Sequence, residues 1–271
     1  KTVTAKDLII TIVSGGGSAL LVWPEEEYFQ GKRLYNRFLK SGGTIEELNV
    51  IRKHISQIKG GGLAKLFYPA TIAGLIFCDI PGDNYHDVAS GPTFYDKTTV
   101  RDTQKILNKY KLKGFKLGET PKDKKYFRKV YNFPLVSNGI ALAAMTNHAK
   151  QLGLKSKIIS SKIYDNAQKT IKKFLNGRSK NKVLLAGGEI AIKIGTKHGT
   201  GGRNQHLAAS IIKFLKKNEV FISLASDGRD NSDVAGAVVD VGIQDRIKEL
   251  KLDLEKYIRQ FDTYNLLKKT N

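Results

Sequence analysis

One cysteine, one methionine and one tryptophan are all that the 271 residues contain of those types. A single thiol, Cys78, excludes an internal disulfide and every Cys-x-x-Cys metal or redox site, and it fits a reducing cytoplasm. No apolar stretch approaches the roughly 20 residues that a membrane helix needs. The opening Lys1-Thr2-Val3-Thr4-Ala5-Lys6-Asp7 lacks the apolar centre of a signal peptide. No repeat of roughly 20–50 residues runs along the chain, which sets solenoids aside. The five histidines, His54, His86, His148, His198 and His206, show no zinc-ligand spacing.

Acidic residues are also scarce, 25 against 46 basic ones, for a net charge of +21. Such a chain attracts anions, whether nucleic acid, anionic lipid or small phosphorylated ligands. The lysines are spread over both halves, and no window resembles an RNP aromatic motif, a zinc finger or a basic zipper, so nucleic-acid binding is the lesser reading. What is present is an ordinary globular composition, 41% hydrophobic and 26% charged. The length suggests about two domains.

Strand and helix signals alternate, which predicts α/β architecture. Asp7–Val13 is a nearly continuous β-branched run, the pattern of a strand buried on both faces. Helices are expected over 27–40, stopped by Gly42-Gly43, and from the capping boxes Thr44/Glu47 and Thr99/Asp102 toward Lys53 and Tyr110. Further helices are expected over 138–152, 166–175 and 203–216. Strands are expected at 71–78, 157–159, 183–186 and 220–225, with 190–194 pairing back as a hairpin through Gly187-Gly188. The lysine-rich segment 111–134, holding Gly114, Gly118, Pro121 and Pro134, is the best boundary, giving domains 1–125 and 126–271. Strand after strand ends in glycine and a polar residue, and in parallel α/β sheets such ends meet on one edge.

The strongest local signal is Ser14-Gly15-Gly16-Gly17-Ser18 behind a strand. Bare backbone there can turn N–H groups toward an anion, with a helix start beyond to add its dipole. It is neither a Walker loop nor the dinucleotide fingerprint, since Leu20 stands at the third glycine position. Asp79 and Asp83 flank Pro81-Gly82 and could hold Mg²⁺ or simply cap a turn. Gly201-Gly202-Arg203-Asn204-Gln205 opens a helix with a guanidinium whose fork suits a phosphoryl or carboxylate group. Asp227, directly after a strand, is the most site-like acid of Asp227, Asp230 and Asp233; the other two read as loop or capping residues.

Taken together, these stretches resemble the glycerate 2-kinases of the MOFRL family, formerly also labelled hydroxypyruvate reductases. The match runs in order through Ser14–Leu21, Asn49–Ser56 with Lys59-Gly-Gly, Asp79–Asp83, Ala89–Thr93, Gly118–Lys122, Gly187–Glu189, Gly201–Gln205, Ser226–Gly228 and Ala235–Asp240. The resemblance implies two α/β domains, the first doubly wound and Rossmann-like with a mostly parallel sheet, the second with a mixed sheet, and an active-site cleft between them. It implies transfer of the ATP γ-phosphoryl to the 2-hydroxyl of D-glycerate with a divalent metal, Mg²⁺. It also implies a leading segment before the glycine-rich strand and a closing segment after Asn271. His206 stands where the family usually has glutamate.

On this reading Ser14, Gly15, Gly16, Gly17 and Ser18 cradle an anion, and Gly201, Gly202, Asn204 and Glu189 bind or orient the ligand. Arg203 offsets charge on the transferred group, with Lys53 a second candidate. Asp79, Asp83 and Asp227 are the candidates for holding the metal or accepting the hydroxyl proton, with Asp227 placed as the catalytic carboxylate and Asp79 and Asp83 at the metal. The alternatives are an NAD(P)-dependent hydroxypyruvate reductase and a basic nucleic-acid-binding module. Glycerate and nucleotide are the expected partners, no membrane is, and a homodimer is among the assemblies left open.

Overall fold

The computed structural model describes residues 3–78, 80, 82–196 and 198–270. The chain divides into two compact units, Lys1–Ala141 and Leu142–Asn271. Both are α/β.

Unit 1 runs β1 (Leu8–Ser14), α1 (Gly17–Leu20), α2 (Glu25–Ser41), α3 (Ile45–His54), α4 (Gly62–Leu66), β2 (Thr71–Phe77), α5 (Val100–Lys109) and β3 (Val130–Val136). The three strands form a parallel sheet in the order β1-β2-β3. Local chemistry sets the helix ends. Glu25, Glu26 and Glu27 fill the first turn of α2, where carboxylates meet the positive end of the helix, and Gly42 at φ 74° closes it. Both expected capping boxes form, Thr44 with Glu47 on α3 and Thr99 with Asp102 on α5. Leu34 and Phe38, one turn apart on α2, pack with Leu48, Ile51 and Leu107 into one core cluster.

Two expectations are corrected here. The boundary lies beyond 125/126, because β3 joins the first sheet, beside β2, and carries the chain on to Ala141. Asn132 and Pro134 mask that strand in the sequence, since both are poor strand residues. Nor is β1 buried on both faces. It is the edge strand, and Leu8, Ile10 and Ile12 are 61, 60 and 73% exposed.

The chain passes into unit 2 within α6 (Asn138–Gln151), followed by β4 (Lys155–Ile163), α7 (Ala167–Gly177), β5 (Lys182–Gly188) and α8 (Arg203–Ile211). Then come β6 (Phe221–Leu224), β7 (Gly236–Val239), α9 (Val241–Glu249), α10 (Leu254–Arg259) and α11 (Thr263–Thr270). β4 and β5 pair in parallel, and β6 and β7 antiparallel, as two separate sheets. The core gathers around α8, whose Leu207, Ala208, Ala209 and Ile211 are buried with Ile171, Phe221, Val239 and Leu266. The expected helix over 203–216 ends earlier, at Ile211, and continues only as a short 3-10 turn over Ile212–Phe214.

The Gly187-Gly188 hairpin does not form. Residues 190–194 are not a strand; instead Glu189 and Ala191 donate their N–H groups to the carbonyls of Ile163 and Asp165. The chain therefore keeps travelling beside the end of β4. Gly188 allows this at φ 133°, where a β-carbon would stand 2.3 Å from the Ile163 nitrogen.

Candidate functional site

In unit 1 the parallel register brings Ser14, Phe77 and Val136 to one edge of the sheet. The Ser14–Ser18 loop leaves that edge against the turn Tyr85–Ser90. A β-carbon on Gly17 would lie 2.7 Å from the Ala89 Cβ, so this glycine answers to packing. Gly16 does not: its φ is −58°, and the nearest atom to an added β-carbon is Leu20 Cδ1 at 3.7 Å. Its bare backbone, unlike that of Gly17, is open to close approach by a ligand. The dipole expected from the following helix is not supplied, because α1 is a single four-residue turn.

Ala89, Ser90 and Gly91 follow one another with φ of 51, 59 and 64°. Two of them are not glycine, and such backbone persists where its surroundings hold it. Gly60 N–H donates to the Ser90 carbonyl at 3.0 Å and Gly61 N–H to that of Gly91 at 2.8 Å. Ser90 Oγ donates to Asn49 Oδ1 at 3.3 Å. The Asn49, Lys59-Gly-Gly and Ala89-Ser-Gly segments thus meet beside the glycine-rich loop.

Lys53 Nζ lies 3.4 Å from Asp87 Oδ1 and 3.5 Å from Asp96 Oδ1, with its side chain 14% exposed. Its charge is already offset by two carboxylates, which makes it a poorer partner for a phosphoryl group than its position suggested. Buried His54 completes this network, Nδ1 at 2.9 Å from the Gly118 carbonyl and Nε2 at 3.2 Å from Thr98 Oγ1. Its neighbour Arg52 differs. Burial holds its guanidinium below the usual arginine range, and among the described residues it has no carboxylate partner, only Asn49 Oδ1 at 3.5 Å. Sequence reasoning passed over it, although a basic last turn on α3 was visible.

Asp83, an expected metal ligand, accepts from Gly139 N–H at 3.3 and 3.2 Å and so caps the start of α6. Asp79 lies outside the described residues. Among the described residues no three His, Cys, Asp or Glu side chains gather as a metal site.

Unit 2 brings another set together. Glu189 follows β5, and Arg203 opens α8; the two side chains form an ion pair. Gly201, Gly202 and Asn204 come with Arg203 as the lead-in and first turn of α8. Two of the backbone amides there are already taken. Asp230, 5% exposed, accepts from Asn204 N–H at 3.0 Å and from Gln205 N–H at 2.7 Å. An internal carboxylate thus already takes two amides at the positive end of α8, and the Arg203 side chain stands beside it for an external anion. Asp227 is exposed and bonds the Arg229 N–H through Oδ1 at 3.1 Å, an Asx turn.

The Gly199–Gly202 loop is fixed by the turn between α10 and α11, residues that no motif marked. Asp262 Oδ1 accepts from Thr200 N–H at 2.9 Å, and Thr200 O from Tyr264 N–H at 3.0 Å. Beside the loop is a hollow of about 380 Å³ that His206, Phe261 and Thr263 help to line. A guanidinium and a partly apolar hollow side by side suit a ligand with an anionic end and a neutral body.

Comparison with known proteins gives this pattern a family. A model described as a domain of unknown function, DUF4147, matches residues 1–120, and the MOFRL family model matches 182–271. The glycerate 2-kinase of Pyrococcus horikoshii is 34% identical over 97% of this chain and 66% of its own length. The crystal structure of glycerate kinase from Thermotoga maritima superposes with a TM-score of 0.88 at 32% identity, over 99% of this chain and 69% of that one. This chain belongs to the MOFRL glycerate kinase family.

The chain spans about two thirds of the length of the curated relatives it matches. A relative from Agrobacterium vitis, 33% identical over 97% of this chain and 65% of its own length, carries a hydroxypyruvate reductase name. Within this MOFRL-family chain the glycine-rich loop and Arg52 lie in the DUF4147 part, and Glu189, Arg203 and Asp227 in the MOFRL part. Among the described residues no helix is long and apolar enough to cross a membrane.

Proposed function

We propose that this chain transfers the γ-phosphoryl group of ATP to the 2-hydroxyl of D-glycerate in a reducing cytoplasm, giving 2-phosphoglycerate and ADP. The observation that carries the reading is Arg203 in the lining of the hollow, in a chain 34% identical to a glycerate 2-kinase. The glycerate 2-oxygen attacks the γ-phosphorus, the bond to the ADP oxygen breaks, and the hydroxyl proton passes to a carboxylate, for which exposed Asp227 is the candidate. Phosphoryl transfer asks mainly for positioning and for charge on the equatorial oxygens. Arg203 supplies that charge once the phosphoryl group draws it from Glu189, and Glu189 holds the guanidinium in place until then. Ser14, Gly15, Gly16, Gly17 and Ser18 cradle the glycerate carboxylate or a phosphate through backbone N–H groups, with Gly16 less obstructed than Gly17.

The described residues do not fit a protein-built metal cage, since no three ligands converge and Asp83 is engaged at α6. Mg²⁺, which commonly rides on substrate phosphates, enters with the nucleotide on this reading. Against the reductase reading stands the single-turn α1, because the dinucleotide fingerprint needs a full helix packed at its third glycine.

The test is a coupled assay for ADP with ATP, Mg²⁺ and D-glycerate, beside a rival arm of NADH and hydroxypyruvate. Glycerate-dependent ADP release is expected, and NADH oxidation without it overturns the proposal. Arg203→Lys should lower kcat by about a hundredfold or more, the scale on which a lost transition-state donor acts. A variant with near wild-type kcat removes Arg203 from the mechanism.

A further inference from the structure

The hollow beside α8 contains more than the phosphoryl reading uses. His206 and Thr263 both line it and are 8 and 1% exposed. Yet among the described residues His206 Nδ1 and Thr263 Oγ1 have no hydrogen-bond partner, and neither does Gln205 Oε1, which with the Thr263 hydroxyl flanks Gly201. Buried polar atoms without partners are rare in folded proteins and call for an explanation. Three lining residues also adopt left-handed backbone, Gly201 at φ 146°, Asn231 at 52° and Phe261 at 52°. For a phenylalanine that conformation is a true outlier. The imidazole lies flat against the Phe261 ring, centroids 4.8 Å apart and planes at 24°.

We propose that this hollow seats the nucleoside of the phosphoryl donor, with its phosphates running out toward Arg203. The inference rests on the kinase reading for its choice of ligand. Three features select a nucleoside over the three-carbon acid. The volume of about 380 Å³ is far more than glycerate fills and lies in the range of drug-sized pockets. Ile192, Ile194 and Phe261 form apolar walls that favour a flat ring over a carboxylate. The imidazole itself is kept neutral by burial, which holds its pKa below the ordinary histidine value, so it offers hydrogen bonds without attracting charge. A small rotation of the Thr263 hydroxyl and of the imidazole brings both toward a sugar hydroxyl or ring nitrogen, giving each the partner it lacks.

The experiment is calorimetric titration of adenosine, which carries no phosphate and so needs neither Arg203 nor turnover. Wild-type protein, Thr263→Val, His206→Phe and Ile194→Trp are compared, with melting curves to show that each is folded. His206→Phe keeps the stack on Phe261 and removes the nitrogens. Ile194 is 44% exposed at the rim, so a tryptophan there blocks the hollow without entering the core. Adenosine should bind the wild type, bind Thr263→Val and His206→Phe roughly three- to tenfold more weakly, one hydrogen bond each, and not bind folded Ile194→Trp. D-glycerate titrations should be unchanged in all three variants. The proposal is overturned if adenosine fails to bind the wild type, if folded Ile194→Trp binds it normally, or if glycerate binding is lost instead. Adenosine binding without glycerate-dependent ADP release would sink the kinase reading and leave this site standing; the opposite result would do the reverse.

Discussion

Lys59 and Glu27 are 1 and 3% exposed and form an ion pair sealed inside unit 1. The ammonium also donates to the Leu21 carbonyl at 2.5 Å, and the other carboxylate oxygen accepts from Trp23 N–H at 2.8 Å. Together they tie down the segment that leaves the glycine-rich loop. Burial holds the lysine below its ordinary pKa, with Glu27 pulling the other way. Lys59→Met keeps most of the volume but strands the carboxylate, which among the described residues retains only the Trp23 N–H. Removing one partner of a buried pair typically costs about 3–5 kcal/mol, whereas replacing both with apolar residues is often neutral or better. Lys59→Met should therefore lose about 3–5 kcal/mol, and Lys59→Met with Glu27→Leu should recover most of it.

The single-variant deficit should also shrink at low pH. Protonating the stranded carboxylate removes a buried charge that no cation offsets in the variant. Urea unfolding followed by the fluorescence of Trp23, the single tryptophan, reads this unit directly. A loss under about 1 kcal/mol for Lys59→Met, or a double variant no better than the single, would refute the reasoning.

Asp230→Ala should lower the unfolding free energy of unit 2 by about 1–3 kcal/mol, because it leaves the Asn204 and Gln205 amides without their acceptor. Asp230→Asn, which keeps one oxygen, should cost less, and thermal melts compare the two. His206, with its pKa depressed in the fold, binds a proton more readily when unfolded. Its neutral state is therefore matched by the unfolded chain above about pH 6.5, and stability falls as pH drops below that value, by at most about 1.4 kcal/mol per pH unit. Denaturation at a series of pH values should show this slope in the wild type and lose it in His206→Phe. Glu47 is held down to about 2 by hydrogen bonds from Lys109 and Tyr110. Its contribution to stability is present above about pH 4.5 and is lost as pH falls toward 2, so Tyr110→Phe should raise its NMR titration midpoint.

Short-range chemistry was legible in the sequence. Thr44 with Glu47, Thr99 with Asp102 and Gly42 marked helix ends within a residue or two, because a cap needs only neighbours along the chain. The alternation of strand and helix gave the α/β class, and the ordered motifs gave the family. What tertiary structure decided were pairings between residues far apart. Lys59 meets Glu27 across 32 residues, and Asp230 reaches the start of α8 from 25 residues away. Neither separation leaves a periodic trace, so the glycine-rich start of α8 looked open where Asp230 already takes two of its amides. The glycines at 187 and 188 looked like a hairpin turn, since glycine permits reversal and close passage equally well, and only the Ile163 backbone shows which one is used. The hollow follows the same logic. His206, Phe261 and Thr263 come from two helices and the turn between α10 and α11, and folding alone brings them to one hollow, with His206 Nδ1 and Thr263 Oγ1 lacking partners among the described residues.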